Sequence, residues 1–228
     1  MMRTPNLVRF VIAGSVVALA AAARADTSPT STAVVRPPVG AHMIPYVGLN
    51  SFQGDSGKGD GPGFRLGGIA GGHITPMFSL NGEITVDFVN ANSSSNTSGT
   101  PGTMSTSLSG IELDLAASPL VHFPINNFEI VAGPKLGAFF AAANDSVDVG
   151  GMTVATKATA HGWLAGLNAG GFVSLNQSVE LGGLLSFVAR NPTTACGVAT
   201  AFGANTSSCF SSGLTANKVL AFTVALLF

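Results

Sequence analysis

Nine charged residues occupy alternate positions in stretches of the chain that are otherwise apolar. Successive side chains of a β-strand point to opposite faces, so these nine would share the face that lies opposite the apolar side chains. Acids and bases gathered in one interior can form a paired, buried network, or they can line a path that selects ions. The six acids are Glu83, Asp87, Glu112, Asp114, Glu129 and Glu180, and the three bases are Arg65, Lys135 and Arg190.

Two interpretations of this inner face remain open. In the first, the charges pair with each other and plug a narrow interior as a polar core. In the second, the surplus of acids lines a narrow passive channel for small solutes or cations. Glycines and alanines on the same face would leave room for such a path; they are Gly67, Gly71, Gly133, Gly137, Gly182, Ala221 and Ala225.

The four histidines give no catalytic signature. None of His42, His73, His122 and His161 lies beside a serine or an acid in a pattern specific to nucleophilic catalysis. We expect His73 on the inner face and His122 in a solvated turn. We therefore predict no enzyme activity, no catalytic residue and no cofactor. A lipid-modifying enzyme or a protease is the less favoured alternative, because catalytic groups can be spread over several strands.

Two cysteines, Cys196 and Cys209, fall in the last long loop of the predicted fold. A cysteine pair within one exported loop usually forms a disulfide, and closing a loop of this length stabilises the chain by roughly 3 kcal/mol. A metal site would need a histidine or an acid close by, and the loop offers none. The sequence therefore predicts a disulfide and no metal.

The composition is unusual for a water-soluble protein. Of 228 residues only 9% are charged, whereas soluble domains carry about 25%. The formal net charge of −1 and the lack of a basic patch give no indication of a nucleic-acid partner. After the amino-terminal segment no run reaches the 18 apolar residues of a transmembrane helix. Any crossing of a membrane must then use strands, which in lipid must close into a barrel.

The amino-terminal region divides into two parts. Residues 1–25 begin with basic residues, continue with an apolar run and end with small residues at a predicted cleavage site before Asp26. This pattern is typical of a signal peptide. Residues 26–39 contain three prolines and many hydroxyls, which predicts a flexible periplasmic tail. The folded domain is expected over residues 40–228.

Eight strands follow from the alternation of apolar and polar residues. The clearest strand covers residues 78–90, with Phe78 and Phe88 on its apolar face and Glu83 and Asp87 on the other. Most connections alternate between long loops and short turns; the exception is a ten-residue connection around His122. The predicted strands cover residues 41–52, 63–74, 78–90, 104–117, 128–142, 160–172, 179–190 and 218–228.

The last strand carries a resemblance to a known family. Its apolar face ends in Phe228 and includes Phe222, Val224 and Leu226. It resembles the closing strand of small bacterial outer-membrane β-barrels, in which the terminal aromatic residue is recognised by the barrel-assembly machinery. The resemblance implies an eight-stranded antiparallel transmembrane up-and-down β-barrel, integral to a bacterial outer membrane, with long loops outside. It also implies that Phe228 is the assembly signal and that outer-membrane lipids are partners.

A soluble barrel of the lipocalin type would also have eight antiparallel strands, with its apolar face turned inward. The apolar face here carries no charge within a strand, and the polar face has too few charges to be the surface of a soluble protein. A membrane barrel, porin-like and monomeric, is therefore the prediction. Its expected role is structural or surface interaction with an unknown extracellular ligand.

A pairing register can also be predicted. If the turn between the second and third strands is centred on Pro76, Arg65 lies opposite Asp87 and Ile69 lies opposite Glu83. We expect the Arg65–Asp87 pair near the extracellular rim, where water enters.

Overall fold

A computed structural model describes residues 40–53, 62–96, 103–149, 152–175, 179–201, 204–211 and 217–228. The predicted signal peptide and tail lie outside these residues. The described residues form strands, and none forms a helix long and apolar enough to cross a membrane. The strands are β1 (Ala41–Gln53), β2 (Pro62–Thr75), β3 (Phe78–Asn96), β4 (Thr103–Ala117), β5 (Leu120–Ile125), β6 (Phe128–Val149), β7 (Met152–Ser174), β8 (Glu180–Ala201), β9 (Ala204–Phe210) and β10 (Asn217–Leu227).

These ten strands form the eight staves of a barrel, where a stave is one strand position in the ring. β4 and β5 occupy one stave, because both pair with β3 on one side and with β6 on the other. The chain keeps a single register across the break at Ser118, whose amide donates to the Asn81 carbonyl at 2.8 Å. β9 and β10 both pair with β8 and share the last stave.

The ring is closed and every pairing in it is antiparallel. β10 pairs with β8 on one side and with β1 on the other, which confirms the predicted barrel. Following directly paired residues once round the ring leads from Met43 back to β1 at Gln53. This stagger of ten residues along β1 is the shear number of the barrel. Eight staves with this stagger tilt by about 40° and enclose a space that side chains alone can fill.

The two ends of the barrel differ. At the turn end, β2 and β3 are joined by Pro76 and Met77, and β5 and β6 by Asn126 and Asn127. Asn126 has a φ of 55°, a left-handed conformation that asparagine tolerates well. At the opposite end, called the loop end, paired strands project past the ring, most clearly β6 with β7 up to the Val149–Met152 pair.

Three sequence expectations about connections were wrong. The ten-residue turn around His122 is strand β5, with only Asn126 and Asn127 in the turn. The predicted loop over residues 143–159 is mostly the paired ends of β6 and β7, and much of the one over residues 191–216 is β8 paired with β9. The projecting parts of β6 to β9 carry many small and hydroxyl side chains on both faces, so they lack the alternation that marks a strand in a sequence.

The outer surface of the ring is a continuous apolar belt. Phe78 and Phe88 mark its two edges on β3 and lie ten residues apart, which at a tilt of about 40° is roughly 25 Å, the height of the apolar band of a membrane barrel. The last strand alternates as predicted, with Thr223 and Ala225 buried and Val224 exposed. Large exposed apolar residues of the belt include Met43, Leu66, Leu80, Ile84, Leu115, Ile130, Leu136, Trp163, Leu167, Leu185, Phe187 and Leu220.

Candidate functional site

The lumen holds the charged residues predicted for the inner face. Near the loop end, Arg65 of β2 lies directly opposite Asp87 of β3, as the register centred on Pro76 predicts. Its Nε and Nη2 donate to the two carboxylate oxygens of Asp87 at 2.6 Å each, which is the bidentate arrangement that suits a guanidinium. Both side chains are completely buried, so the expectation that water reaches this pair at the rim was wrong.

A second guanidinium joins three acids. Arg190 of β8 donates through Nε and Nη2 to Asp114 of β4 at 2.9 and 2.8 Å, and Nη2 also reaches Asp87 at 2.5 Å. Its Nη1 lies 2.5 Å from a carboxylate oxygen of Glu112. We call Arg65, Asp87, Glu112, Asp114 and Arg190 the guanidinium cluster. Its charges are close to balance, with two guanidinium groups against three carboxylates.

The middle of the lumen is organised around Glu83. Its Oε1 accepts hydrogen bonds from Lys135 Nζ at 2.7 Å and from the Tyr46 hydroxyl at 2.8 Å. Its Oε2 accepts from the Asn168 amide at 2.8 Å. Lys135 also lies 3.7 Å from Asp114 Oδ2, so this group is continuous with the guanidinium cluster. A buried carboxylate with three donors is well satisfied, which stabilises it against desolvation.

The turn end contains a group that the sequence did not predict. His122, expected to be solvated, is 1% exposed, and its Nδ1 lies 2.5 Å from Glu129 Oε1. Its Nε2 lies 2.8 Å from the hydroxyl of Ser79. The rings of His42 and His73 lie beside it. We call His42, His73, His122 and Glu129 the histidine cluster. Glu180, also predicted to be inward, is buried and accepts a hydrogen bond from Ser174 at 2.7 Å.

The hydroxyl of Ser79 contacts His122, and His122 contacts Glu129. This is the order in which a nucleophile, a base and an acid are arranged in a catalytic triad. Catalysis also needs a free approach to the serine, so that a reacting carbon can lie about 3 Å from its oxygen. Ser79 is wholly buried, and its hydroxyl is held by His122 and by the Asn81 amide at 2.8 Å. These residues therefore form a buried hydrogen-bond relay, and we assign none of them a catalytic role.

Sequence reasoning missed the polar residues of β1 that line the lumen. Tyr46 and Asn50 lie on the inner face of β1, where Pro45 hides the alternation, and Asn50 donates to Asp87 at 2.6 Å. The sequence did contain a signal: His42, Tyr46 and Asn50 are each four residues apart, so they lie on the same face of β1, and all three are buried. The other buried polar residues that extend the predicted network are Asn81, Thr85, Ser118, Asn168, Ser186 and Thr223.

One of the inner glycines packs against a large neighbouring side chain. A β-carbon on Gly67 would lie 2.7 Å from the ring of Tyr46, so the space beside this glycine is filled by a neighbour's side chain. Near the loop end a cavity of about 80 Å³ borders Phe52, Glu112 and Asn217. Within the described ranges, no group of three or more histidines, cysteines or acids is arranged to hold a metal ion.

The cysteines form a disulfide. Cys196 of β8 is paired directly with Cys209 of β9, and their Cα atoms are 4.0 Å apart. The pair lies in the loop-end hairpin, past the last pairing of β8 with β10 at Arg190 and Asn217. The predicted bridge is thus present, although it joins two strands and does not close an irregular loop.

The chain is similar to several solved structures. No protein-family model and no curated protein matches the chain. Among solved structures, a major outer membrane protein from Thermus thermophilus is 15% identical, with a TM-score of 0.53, covering 83% of this chain and 100% of that one. Neisserial surface protein A is 14% identical, with a TM-score of 0.43, covering 84% and 98%. The attachment invasion locus protein of Yersinia pestis is 13% identical, with a TM-score of 0.38, covering 84% and 99%.

The likeness to the Thermus protein shows a shared fold, because its TM-score exceeds 0.5 at an identity too low to carry function. The closed antiparallel ring and the apolar outer belt are independently the features of a membrane β-barrel. The chain has the fold of the small bacterial outer-membrane β-barrels.

Proposed function

We propose that this protein is an integral β-barrel of a bacterial outer membrane, with a structural or surface-interaction role and a lumen closed by its own polar side chains. The observation that carries the proposal is the distribution of side chains, which is the inverse of that in a soluble protein. Arg65, Asp87, Asp114, Lys135 and Arg190 are buried inside, while large apolar side chains cover the outside. Such a belt is unfavourable in water and favourable in lipid.

Three further features support the outer membrane as its location. The two edges of the belt are about one membrane band apart, and the chain ends in an aromatic residue on the belt, Phe228. Residues 1–25 read as a signal peptide for export. In this proposal the long loops are extracellular, and outer-membrane lipids and the barrel-assembly machinery are the partners.

The contacts in the lumen favour a plug over a channel. Arg190 reaches acids on two staves across the lumen, and Lys135 and Asn168 meet at Glu83. Conduction would require these paired groups to separate, and breaking a buried ion pair costs about 3–5 kcal/mol. A narrow passive channel for small solutes or cations is the alternative, and the partly exposed Glu112 beside the loop-end cavity would be its entrance.

The loop end is the surface on which a partner would bind. Paired strands project there, and the disulfide between Cys196 and Cys209 holds one of the hairpins. Among described residues the projecting part of β6 and β7 carries only Asp145, Asp148 and Lys157 as charges. On this projection a partner would therefore meet mostly hydroxyl, amide and small apolar groups, which favour hydrogen bonding over ion pairing there.

Two measurements test the proposal. The mature protein, expressed with its own leader, should begin at Asp26 and fractionate with the outer membrane; recovery in a soluble fraction would contradict it. The refolded barrel should give no discrete openings in planar lipid bilayers at neutral pH. Regular single-channel steps would support the channel alternative and contradict the plug.

A further inference from the structure

The strand β9 presents a strand edge at the loop end. Within the described ranges it pairs along its whole length with β8 and with no other strand. The next stave of the ring is β1, which ends at Gln53, opposite Lys218 of β10, and so does not extend as far as β9. All residues of β9 are exposed. We call the side of β9 that faces away from β8 the open edge.

The cysteine pair shows which backbone groups lie on the open edge. In an antiparallel pair, opposed residues alternate between hydrogen-bonded pairs, with Cα atoms about 5.5 Å apart, and non-hydrogen-bonded pairs, at about 4.5 Å. The Cα atoms of Cys196 and Cys209 are 4.0 Å apart, so theirs is a non-hydrogen-bonded pair. The backbone N–H and C=O of Cys209 therefore point away from β8. Because the pattern alternates, those of Ser207 and Asn205 do the same.

The open edge lacks the usual protection against the addition of a strand. Natural proteins commonly blunt such edges with lysine, proline or a β-bulge. The sequence of β9 is A-N-T-S-S-C-F, without a charged residue or a proline, and its pairs with β8 run without a break from Ala204 to Phe210. The disulfide also ties β9 to β8. The edge is therefore held extended, with its donors and acceptors already in place.

We propose that β9 is a strand-addition site, at which an extended segment of a partner polypeptide hydrogen-bonds to the backbone of Asn205, Ser207 and Cys209. The side chains of β9 are mainly hydroxyl and amide groups, and the ring of Phe210 is exposed at one end. An uncharged segment rich in hydroxyl and β-branched residues fits such neighbours. This deepens the proposed surface-interaction role, and it rests on that role for the extracellular position of the loop end.

A second copy of the chain does not fit the open edge within one membrane. The strand β9 continues the sheet of the ring through β8, and strands of such a ring tilt by about 40° from the barrel axis. Two barrels side by side have parallel axes, so two meeting edges would cross at about 80°. Paired strands instead lie within about 35° of each other. The partner is therefore a separate extended polypeptide.

Amide hydrogen exchange of the oxidised full-length barrel in detergent micelles tests the proposal. The probe is a peptide of alternating threonine and valine, as long as β9. Without it, the amides of Asn205, Ser207 and Cys209 should exchange quickly, and those of Thr206 and Ser208 slowly. At about nine-tenths saturation the first three should exchange about tenfold more slowly, because exchange then proceeds from the unbound fraction. Slow exchange in the free monomer, or no slowing with peptide, would overturn the proposal.

A proline variant assigns the binding to the open edge. Ser207→Pro removes one outward N–H and keeps the pairs with β8, since proline is tolerated where the N–H of an edge strand faces solvent. Its affinity for the peptide should fall by about tenfold or more. Ser207→Ala is the matched control, because it changes the side chain alone and should bind as the wild type does. Equal binding by Ser207→Pro and the wild type would overturn the proposal.

Two checks keep the result interpretable. Slow exchange of the Thr206 and Ser208 amides in Ser207→Pro shows that its hairpin has folded; if it has not, Asn205→Pro takes its place. A concentration-dependent dimer that protects the open edge without peptide would overturn the choice of partner in favour of a second copy. Because the measurement is made in micelles, it can fail while the fractionation test of the proposed function succeeds, and the reverse.

Discussion

Arg190 and Asp87 join opposite walls of the barrel. Their strands, β8 and β3, are four staves apart by either route round the ring, yet Arg190 Nη2 donates to Asp87 Oδ2 at 2.5 Å. The reach of one arginine side chain therefore crosses the lumen at this level. An eight-stave barrel is narrow enough for this to happen, and a wider one would leave a gap.

The first prediction concerns the Arg65–Asp87 pair. Because both side chains are fully buried, Arg65→Ala should lower the free energy of unfolding in detergent by about 3–5 kcal/mol, the range for breaking a buried ion pair. Asp87→Ala should be at least as damaging, since Arg190 and Asn50 also donate to Asp87. Denaturant titration of both single variants and the double variant measures the coupling.

The double variant should lose less than the sum of the two single variants, because the residues contact each other directly. Leu136→Ala, a change on the outer belt of the same barrel, is the control for a truncation that removes no charge. Strictly additive losses would contradict the pairing.

The second prediction concerns Arg190, which holds acids of two strands. Arg190→Ala leaves carboxylates of Glu112 and Asp114 without their guanidinium, so stability should fall and cations should gain a path through the lumen. Planar-bilayer recordings should show cation-selective openings that the wild type lacks. Lys157→Ala, at an exposed position of the loop end, should remain silent and stable within about 0.5 kcal/mol. A silent and fully stable Arg190→Ala barrel would refute this account of the plug.

The third prediction concerns Phe228. Its backbone exchanges two hydrogen bonds with Met43, at 3.0 and 3.3 Å, and its ring lies on the apolar belt. Deleting it should therefore impair assembly, measured as the heat-modifiable folded fraction in outer membranes. Phe228→Ala keeps the backbone hydrogen bonds with Met43 and removes only the ring. This variant therefore tests the ring separately from the backbone pairing that closes the barrel. Normal assembly of the deletion variant would show that the terminal residue is not a signal.

The fourth prediction concerns the disulfide. Mass spectrometry without reductant should find Cys196 bonded to Cys209 in protein isolated from the envelope. Cys196→Ser with Cys209→Ser should leave the ring intact, because the bridge lies beyond the last pairing of β8 with β10. The loop-end hairpin alone should become more sensitive to protease. Two free thiols in the isolated protein, or an unfolded double variant, would contradict the prediction.

Much of the ring could be predicted because alternation is a local property. Each strand that crosses the belt carries large apolar side chains on one face, and the residue types on the other face follow without knowledge of the neighbours. The predicted Arg65–Asp87 pairing is correct, but the tight turn alone does not produce it. The turn pairs Thr75 with Phe78, and an irregularity between His73 and Thr75 then shifts the register by one residue.

The turn end was predicted poorly for a specific reason. Pro119 and Pro124 resemble turn residues in a sequence, but Pro124 lies within β5, in a stave whose neighbours keep their register. Because this segment was predicted to be a turn, His122 was expected outside the lumen, and its contact with Glu129 was not predicted. Contacts such as Arg190 with Asp87 could not be predicted at all, because they depend on which staves face each other once the ring has closed.

The distribution of charge along the chain bears on how the barrel enters a membrane. β2, β3 and β4 bring Arg65 and four inner carboxylates, whereas the cations that complete the network, Lys135 and Arg190, arrive only with β6 and β8. A half-inserted sheet of the early strands would expose several unneutralised acids to hydrocarbon. Stepwise entry, strand by strand, is therefore unfavourable, and the chain gains most by inserting as a nearly complete ring.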